Sequence, residues 1–205
     1  MVVGIRASGR EYSRTILACG RTMERKVRMT TEPHGNAREG RAQYARRMDR
    51  ESSVLYMDCL FSVLAGSDDN GGRFGLIEMV APRGREPSRH LHHTDDEGFY
   101  VLEGEATFYV GEEVYRAGPG TFVFLPHGVP HSYTFEPEAV RMLSIIAPGG
   151  LEAHFQDTRF SEPARDLTLP TPAGEPERAV LEKMADDLAS YGTEVVGPPG
   201  PPQKS

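Results

Sequence analysis

From Ser53 to Pro148 the chain is a succession of short apolar runs, each cut off by turn-forming residues after a few positions. The runs include "RFGLIEMVAP", "GFYVLEG", "ATFYVG", "TFVFLP", "HSYTF" and "VRMLSIIAP", and the breaks include "SDDNGG", "RGREP", "AGPG" and "LPHGVP". Short runs at this spacing, punctuated by Gly, Pro, Asp and Asn, read as the strands of an all-β sandwich or barrel. Successive side chains of a strand point to opposite sides, so Glu97, Phe99 and Val101 share one face and Gly98, Tyr100 and Leu102 the other.

The flanks have a different character. Residues 1–50 lack apolar periodicity and hold 12 Lys/Arg against 5 Asp/Glu, which predicts a disordered basic extension. Residues 51–150 are the predicted barrel. Residues 151–196 are predicted to be a helical extension that packs on the barrel or on a partner. It contains a short helix near "GGLEAHF", a Pro-rich linker "SEPARDLTLPTPAGEP", and an amphipathic helix in "EPERAVLEKMADDLASYG". In that helix Val180, Leu181, Met184, Leu188 and Tyr191 form one stripe, with Pro176 suited to the first turn and Gly192 to the C-terminal cap. Residues 197–205, "GPPGPPQKS", are predicted to be a disordered tail.

Charge excludes some functions. Residues 51–205 hold 11 Lys/Arg against 25 Asp/Glu, a poor basis for binding nucleic acid, whose affinity comes from neutralising phosphates. No helix-turn-helix core is visible in the basic segment. The two cysteines, Cys19 and Cys59, make no disulfide framework. No stretch approaches the ~20 apolar residues of a membrane span. The first residues carry no continuous apolar leader, and Met23, Met29 and Met48 offer alternative starts, so a cytoplasmic protein is expected.

The chemistry is concentrated in "GREPSRHLHHTDDEGFYVLEGE" and "GPGTFVFLPHGVPHSYTF". His90 and His92 are two apart, so on a strand both imidazoles leave by the same face. Glu97 opens the next alternating strand, on the face it shares with Phe99. Two imidazoles and one carboxylate therefore converge at one end of the barrel, and His131, at the start of "HSYTF", supplies a further ligand on the face of Tyr133 and Phe135. Imidazole suits Fe, Ni, Cu and Zn, and the carboxylate also accommodates Mn, so one divalent transition metal per chain is expected: iron foremost, with Mn, Ni, Co or Zn as alternatives.

These two stretches resemble the cupin superfamily. The pattern G-x5-H-x-H-x4-E-x6-G runs without departure from Gly84 to Gly104. The pattern G-x5-P-x-G-x2-H-x3-N runs from Gly120 and departs only at its last position, where Phe135 stands for the family's Asn. The resemblance covers residues 53–148 and implies an antiparallel jelly roll, often dimeric, with a metal held by His90, His92, Glu97 and His131. The segment after the barrel, "APGGLEAHF" followed by a linker, a helix and "YGTEVVGPP", is similar to single-domain members of quercetin-dioxygenase type. This implies oxygen-dependent chemistry on an aromatic or dicarbonyl small molecule, with Glu97 as both ligand and base and a substrate pocket of Phe99, Tyr133 and Phe135. Non-oxidative isomerisation or hydrolysis, and ligand binding without turnover, are the alternatives. Arg89 and Arg141 are the nearest inward cations for a phosphorylated substrate. His93 and His127 are expected on the surface, Asp95 and Asp96 in a solvated turn, and Cys59 in the core; His34 and His154 have no predicted role.

Overall fold

The structure, a computed structural model, describes residues 7–8, 11–18, 21–28, 44–136, 138–171, 174 and 177–202. The chain divides into two units, residues 1–45 and 46–205. In the first, β1 (Ala7–Ser8), β2 (Glu11–Ala18) and β3 (Arg21–Arg28) form a three-stranded antiparallel sheet. This sheet lies within the segment for which a disordered arm is expected. Residues 11–28 contain Tyr12, Thr15, Ile16, Thr22 and Val27, types that suit strands. Residues 1–6 and 29–43 lie outside the described residues.

The second unit is the barrel. Its strands are β4 (Ser53–Tyr56), β5 (Cys59–Ala65), β6 (Gly75–Pro82), β7 (Arg89–His92), β8 (Asp96–Glu103) and β9 (Ala106–Val110). They continue with β10 (Glu113–Ala117), β11 (Phe122–Leu125), β12 (His131–Phe135), β13 (Ala139–Ala147), β14 (Ser161–Pro163) and β15 (Thr193–Gly197). Three helices accompany them: α1 (Ser67–Asn70), α2 (Glu152–Phe155) and α3 (Arg178–Ser190). Two sheets face each other, in the orders β10-β9-β12-β7-β15 and β11-β8-β13-β6-β5-β4-β14, and every pairing is antiparallel. This is the all-β jelly-roll architecture, with a C-terminal helix added.

Alternation positions the core. Along β13, Val140, Met142, Ser144 and Ile146 are buried while the residues between them are more exposed. Along β8, Glu97, Phe99 and Val101 point inward and Tyr100 outward. The inner faces meet in one cluster that includes Ile77, Met79, Phe99, Phe108, Phe135 and Met142. Two turns show why the sequence breaks where it does. Gly104 has φ +80°, and a Cβ there would stand 2.7 Å from the Ala139 carbonyl oxygen, so only glycine fits. Between β4 and β5, Tyr56 pairs with Cys59 around Met57 and Asp58, both at positive φ (53° and 60°), as a tight two-residue hairpin requires. Arg85 holds the Asp58 carboxylate at 2.6 Å.

The C-terminal segment is more firmly built than the sequence predicts. Helix α3 starts at Arg178; Pro176, predicted for its first turn, lies outside the described residues. Its Met184 is buried and Leu188 and Tyr191 pack on the core, while Val180 and Leu181 remain about 40% exposed (39% and 40%). After Gly192 the chain adds β15 to the edge of the five-stranded sheet, beside β7. The tail is also pinned, contrary to expectation: the Pro198 carbonyl accepts from the Arg89 N–H, and the Gly200 carbonyl accepts from the buried Ser132 hydroxyl at 2.6 Å. The run "TEVVG" is too short to announce a strand, and its partner β7 lies a hundred residues away. Residues 203–205 are outside the described residues. No helix among the described residues is long and apolar enough to cross a membrane.

His154, to which the sequence assigns no role, fastens α3 to the barrel. It is fully buried on α2, with Nδ1 2.7 Å from Asp187 of α3 and Nε2 2.8 Å from the Tyr56 hydroxyl of β4. The neutral ring donates from Nδ1 to the carboxylate and accepts the tyrosine proton at Nε2, so both nitrogens are satisfied. Burial holds its pKa below the ordinary imidazole value, against the opposing pull of Asp187. Between that lowered value and about 6.5 the unfolded chain takes up a proton that the folded chain refuses. Stability from this residue is therefore complete above about pH 6.5 and is lost as pH falls through the window below it. We expect His154→Gln to cost ~2 kcal/mol at pH 7.5, a fall of about 5 °C in melting temperature, and to flatten the acid side of the stability–pH curve. Thermal unfolding from pH 5 to 8 measures both; an unchanged slope in the variant would remove His154 as its origin.

Candidate metal centre

The four predicted ligands come together. One donor atom from each of His90, His92, Glu97 and His131 lies within 4.8 Å of every other. They reach this point from three strands. His90 and His92 leave β7 by one face; β12 runs antiparallel to β7 with His131 opposite His90. Glu97 enters from β8 in the facing sheet. Its Oε2 is 3.6 Å from His92 Nε2 and 3.7 Å from His131 Nε2.

Each imidazole has its outer nitrogen engaged, and this fixes the tautomer. His90 Nδ1 is 2.8 Å from the Ser88 carbonyl and His131 Nδ1 is 3.0 Å from the Val129 carbonyl. A carbonyl only accepts, so both rings carry their proton on Nδ1 and turn the Nε2 lone pair inward. His92 Nδ1 is 3.3 Å from Thr193 Oγ1 and 2.9 Å from Asp95 Oδ2. The Asp95 oxygen stands off the N–H axis, which makes its contact electrostatic rather than a straight hydrogen bond. Two inward nitrogens, His92 Nε2 and His131 Nε2, are buried with no hydrogen-bond partner among the described residues. Unpaired buried ring nitrogens are costly, and a cation receiving their lone pairs is the simplest remedy. The donor set of three imidazoles and one carboxylate fits a divalent transition metal.

The electrostatics agree with the geometry. Burial disfavours the charged form of Glu97, yet the nearby His92 ring, with His131 and His90 behind it, pulls its pKa down to about 2. Burial likewise works against a charged His92, but Asp95 and Glu97 outweigh it and raise that pKa to about 10. His131 is driven the other way, to about 4, first by burial and then by the neighbouring His90. Without metal the site therefore stores one proton between His92 and the carboxylates, and a bound cation takes that proton's place.

Three supporting residues escaped the sequence reading. Asp95, predicted in a solvated turn, is 5% exposed and faces His92. Its neighbour Asp96 does take the surface position, accepting from the His127 backbone N–H. Ser144, inward on β13, donates to Glu97 Oε1 at 2.9 Å. Thr193 reaches His92 from β15. Asp95 carried a signal, its i,i+3 spacing from a ligand histidine; Ser144 and Thr193 carried none, being brought in by sheet pairing. His93 is on the surface against Glu194.

The ligands His90, His92 and Glu97 open onto a cavity of about 710 Å³. Its walls include Phe61, Met79, Phe99, Tyr133 and Phe155, and α3 roofs it with Leu181, Met184 and Leu188. Phe99 and Tyr133, two of the three residues expected to form a pocket, border this cavity. Phe135 does not line the cavity: it is buried in the core behind Tyr133, ring centroids 5.6 Å apart. Of the two candidate cations, Arg89 spends its guanidinium on the carbonyls of Tyr109, Gly111 and Pro130. Arg141 is paired with Glu78 and Glu103 outside the barrel.

The ligand set predicts that His92→Ala abolishes stoichiometric metal binding, whereas Asp95→Asn keeps the ligands and lowers metal affinity about 10–100-fold. Competition titration against a chromophoric chelator separates the two cases; wild-type affinity in Asp95→Asn would show that the Asp95 contact is incidental.

Comparison with known proteins agrees with this architecture. Residues 76–146 match the family model of the cupin domain. Quercetin 2,3-dioxygenase of Bacillus subtilis (strain 168) is 23% identical over 160 residues, covering 78% of this chain and 46% of that protein. An uncharacterized protein of Methanocaldococcus jannaschii is 30% identical over 61 residues, 30% of this chain and 49% of its own. The chain thus spans about half the length of the curated relatives it matches. Among solved structures, a predicted oxalate decarboxylase from Thermotoga maritima superposes with a TM-score of 0.42 at 21% identity, over 44% of this chain and 80% of that one. By its two motifs, its sheet order and the family match, the barrel of this chain belongs to the cupin superfamily.

Proposed function

We propose that this protein is a metal-dependent oxidoreductase of dioxygenase type, acting on an aromatic, flavonol-like or dicarbonyl small molecule. The observation that carries the reading is the opening of a four-ligand site onto a large apolar cavity. A metal that prefers more than four ligands, held by these four residues, would keep positions for small oxygen ligands. The aromatic and aliphatic walls suit a flat, largely apolar molecule and keep bulk water from the reacting atoms. The similarity to a quercetin dioxygenase over most of this chain points the same way.

A bound metal, iron foremost and Mn, Ni, Co or Zn otherwise, would be held by His90, His92, Glu97 and His131 and would supply the redox or Lewis-acid chemistry. The residues themselves do the rest. Glu97, ionised at neutral pH, accepts the proton of an enol or phenol hydroxyl as that oxygen approaches; a positioned base contributes about 10²–10⁴-fold. Ser144 holds Glu97 Oε1 and so fixes the orientation of the carboxylate. Phe99 and Tyr133 bound the space in which the ring system lies. Phosphorylated substrates are disfavoured, since Arg89 and Arg141 are both committed elsewhere. A cytoplasmic homodimer completes the proposal; light scattering on the purified protein tests the dimer.

The test is elemental analysis of protein purified without chelator, followed by oxygen uptake on flavonols and 1,3-dicarbonyls. We expect about one metal per chain and uptake that is lost in Glu97→Gln. Identical null results with and without oxygen, at full metal loading, would sink the oxidative reading in favour of isomerisation, hydrolysis or binding without turnover.

A further inference from the structure

The buried polar side chains that line the cavity are nearly all engaged. His92 and Glu97 belong to the ligand set, Ser144 donates to Glu97, Thr193 contacts His92, and the Cys59 thiol points to the Met57 carbonyl. Tyr133 differs. It is 7% exposed, it lines the cavity, and its hydroxyl has no hydrogen-bond partner among the described residues. Tyr56, the other cavity tyrosine, is committed to His154.

The Tyr133 ring is held from several sides. Its centroid is 5.1 Å from that of Phe99, 5.3 Å from Phe108 and 5.6 Å from Phe135. It stands two residues beyond His131 on the same face of β12, as Phe99 stands two residues beyond Glu97 on β8. One layer of aromatic rings therefore lies directly inside the ligand layer, and it carries a single hydroxyl. A rigid, largely buried donor that no protein group satisfies is what a site uses to recognise an oxygen on its ligand, because a ligand that lacks that oxygen but displaces the cavity water leaves the donor unpaired.

We propose that the Tyr133 hydroxyl donates a hydrogen bond to a second oxygen of the bound aromatic molecule, one that does not coordinate the metal. The substrate class narrows accordingly to planar, uncharged or monoanionic aromatics with at least two oxygens: one for the metal and one acceptor on the part that enters the aromatic layer. Hydrocarbons of the same shape enter the cavity without this contact. The inference rests on the proposed function for the aromatic nature of the ligand, but not for its reaction with oxygen.

The experiment is a fluorescence titration of the zinc-loaded protein, in which no turnover is needed, with 3-hydroxyflavone and with the oxygen-free 2-phenylnaphthalene of similar shape. Wild type, Tyr133→Phe and Phe135→Leu are compared, the last loosening the packing beside Tyr133 while keeping its hydroxyl. We expect Tyr133→Phe to weaken 3-hydroxyflavone about tenfold, to leave 2-phenylnaphthalene within about twofold, and to keep wild-type zinc content. Phe135→Leu is expected to preserve the wild-type ratio between the two ligands. Unchanged affinity in Tyr133→Phe, equal loss for both ligands, or no binding of 3-hydroxyflavone to wild type would each overturn the assignment. A null oxygen-uptake result leaves this binding difference standing, so the two readings fail separately.

Discussion

Strands β7 and β12 meet at a single residue pair, His90 opposite His131, and that register places two of the metal-facing nitrogens beside each other. A short joint of this kind needs reinforcement. Arg89, next to His90, spans to the carbonyls of Tyr109, Gly111 and Pro130, the last next to His131. The Gly128 N–H donates to the His92 carbonyl at 2.7 Å and ties the turn before His131 to the end of β7. A buried guanidinium is costly unless its donors are satisfied; here three backbone carbonyls accept from it. The ligand geometry is therefore a consequence of backbone pairing locked by one cation. A slip of one residue in either strand would turn its imidazoles to the opposite face.

The same site is poised between two charge states. Three imidazoles and a carboxylate crowd a buried space, with ring centroids 4.5 Å apart for His90 and His131. Such a cluster cannot be fully protonated, and it cannot be left empty of positive charge beside an ionised Glu97. A divalent cation resolves both conflicts. The outer nitrogens, each engaged by a carbonyl, a hydroxyl or a carboxylate, prevent the rings from turning to find other partners. The contribution of β15 is notable in this respect, because Thr193 brings the C-terminal segment into contact with a ligand histidine while α3, in the same segment, roofs the cavity. The candidate metal site and the cavity roof thereby draw on the same C-terminal segment.

Much of the site was legible in the chain because strand periodicity is local. A spacing of two puts His90 and His92 on one face whatever the rest of the molecule does, and the alternation from Glu97 to Val101 reads directly as inside and outside. Asp95 was misjudged for a local reason too: Asp and Thr in a turn are usually solvated, and its i,i+3 spacing from His92 is the one local hint that it faces that ring. Phe135 was misjudged because sharing a face with a ligand does not decide whether a ring borders the cavity or fills the core behind it. The barrel's inward face is deeper than one layer of side chains.

The sequence by itself determined the strand character of residues 53–147, the four side chains that could hold a metal and the amphipathic stripe of α3, since each is read from spacing along the chain. Only the tertiary structure decided that β15 closes the ligand sheet, that His154 joins Tyr56 to Asp187, that Ser144 and Thr193 support Glu97 and His92, and that Tyr133 keeps an unsatisfied hydroxyl in the cavity. The partners in those contacts are 33 to 101 residues apart in the chain, and no periodic pattern links them. They exist because the antiparallel register of two sheets, and the volume left between them, bring distant side chains to one place.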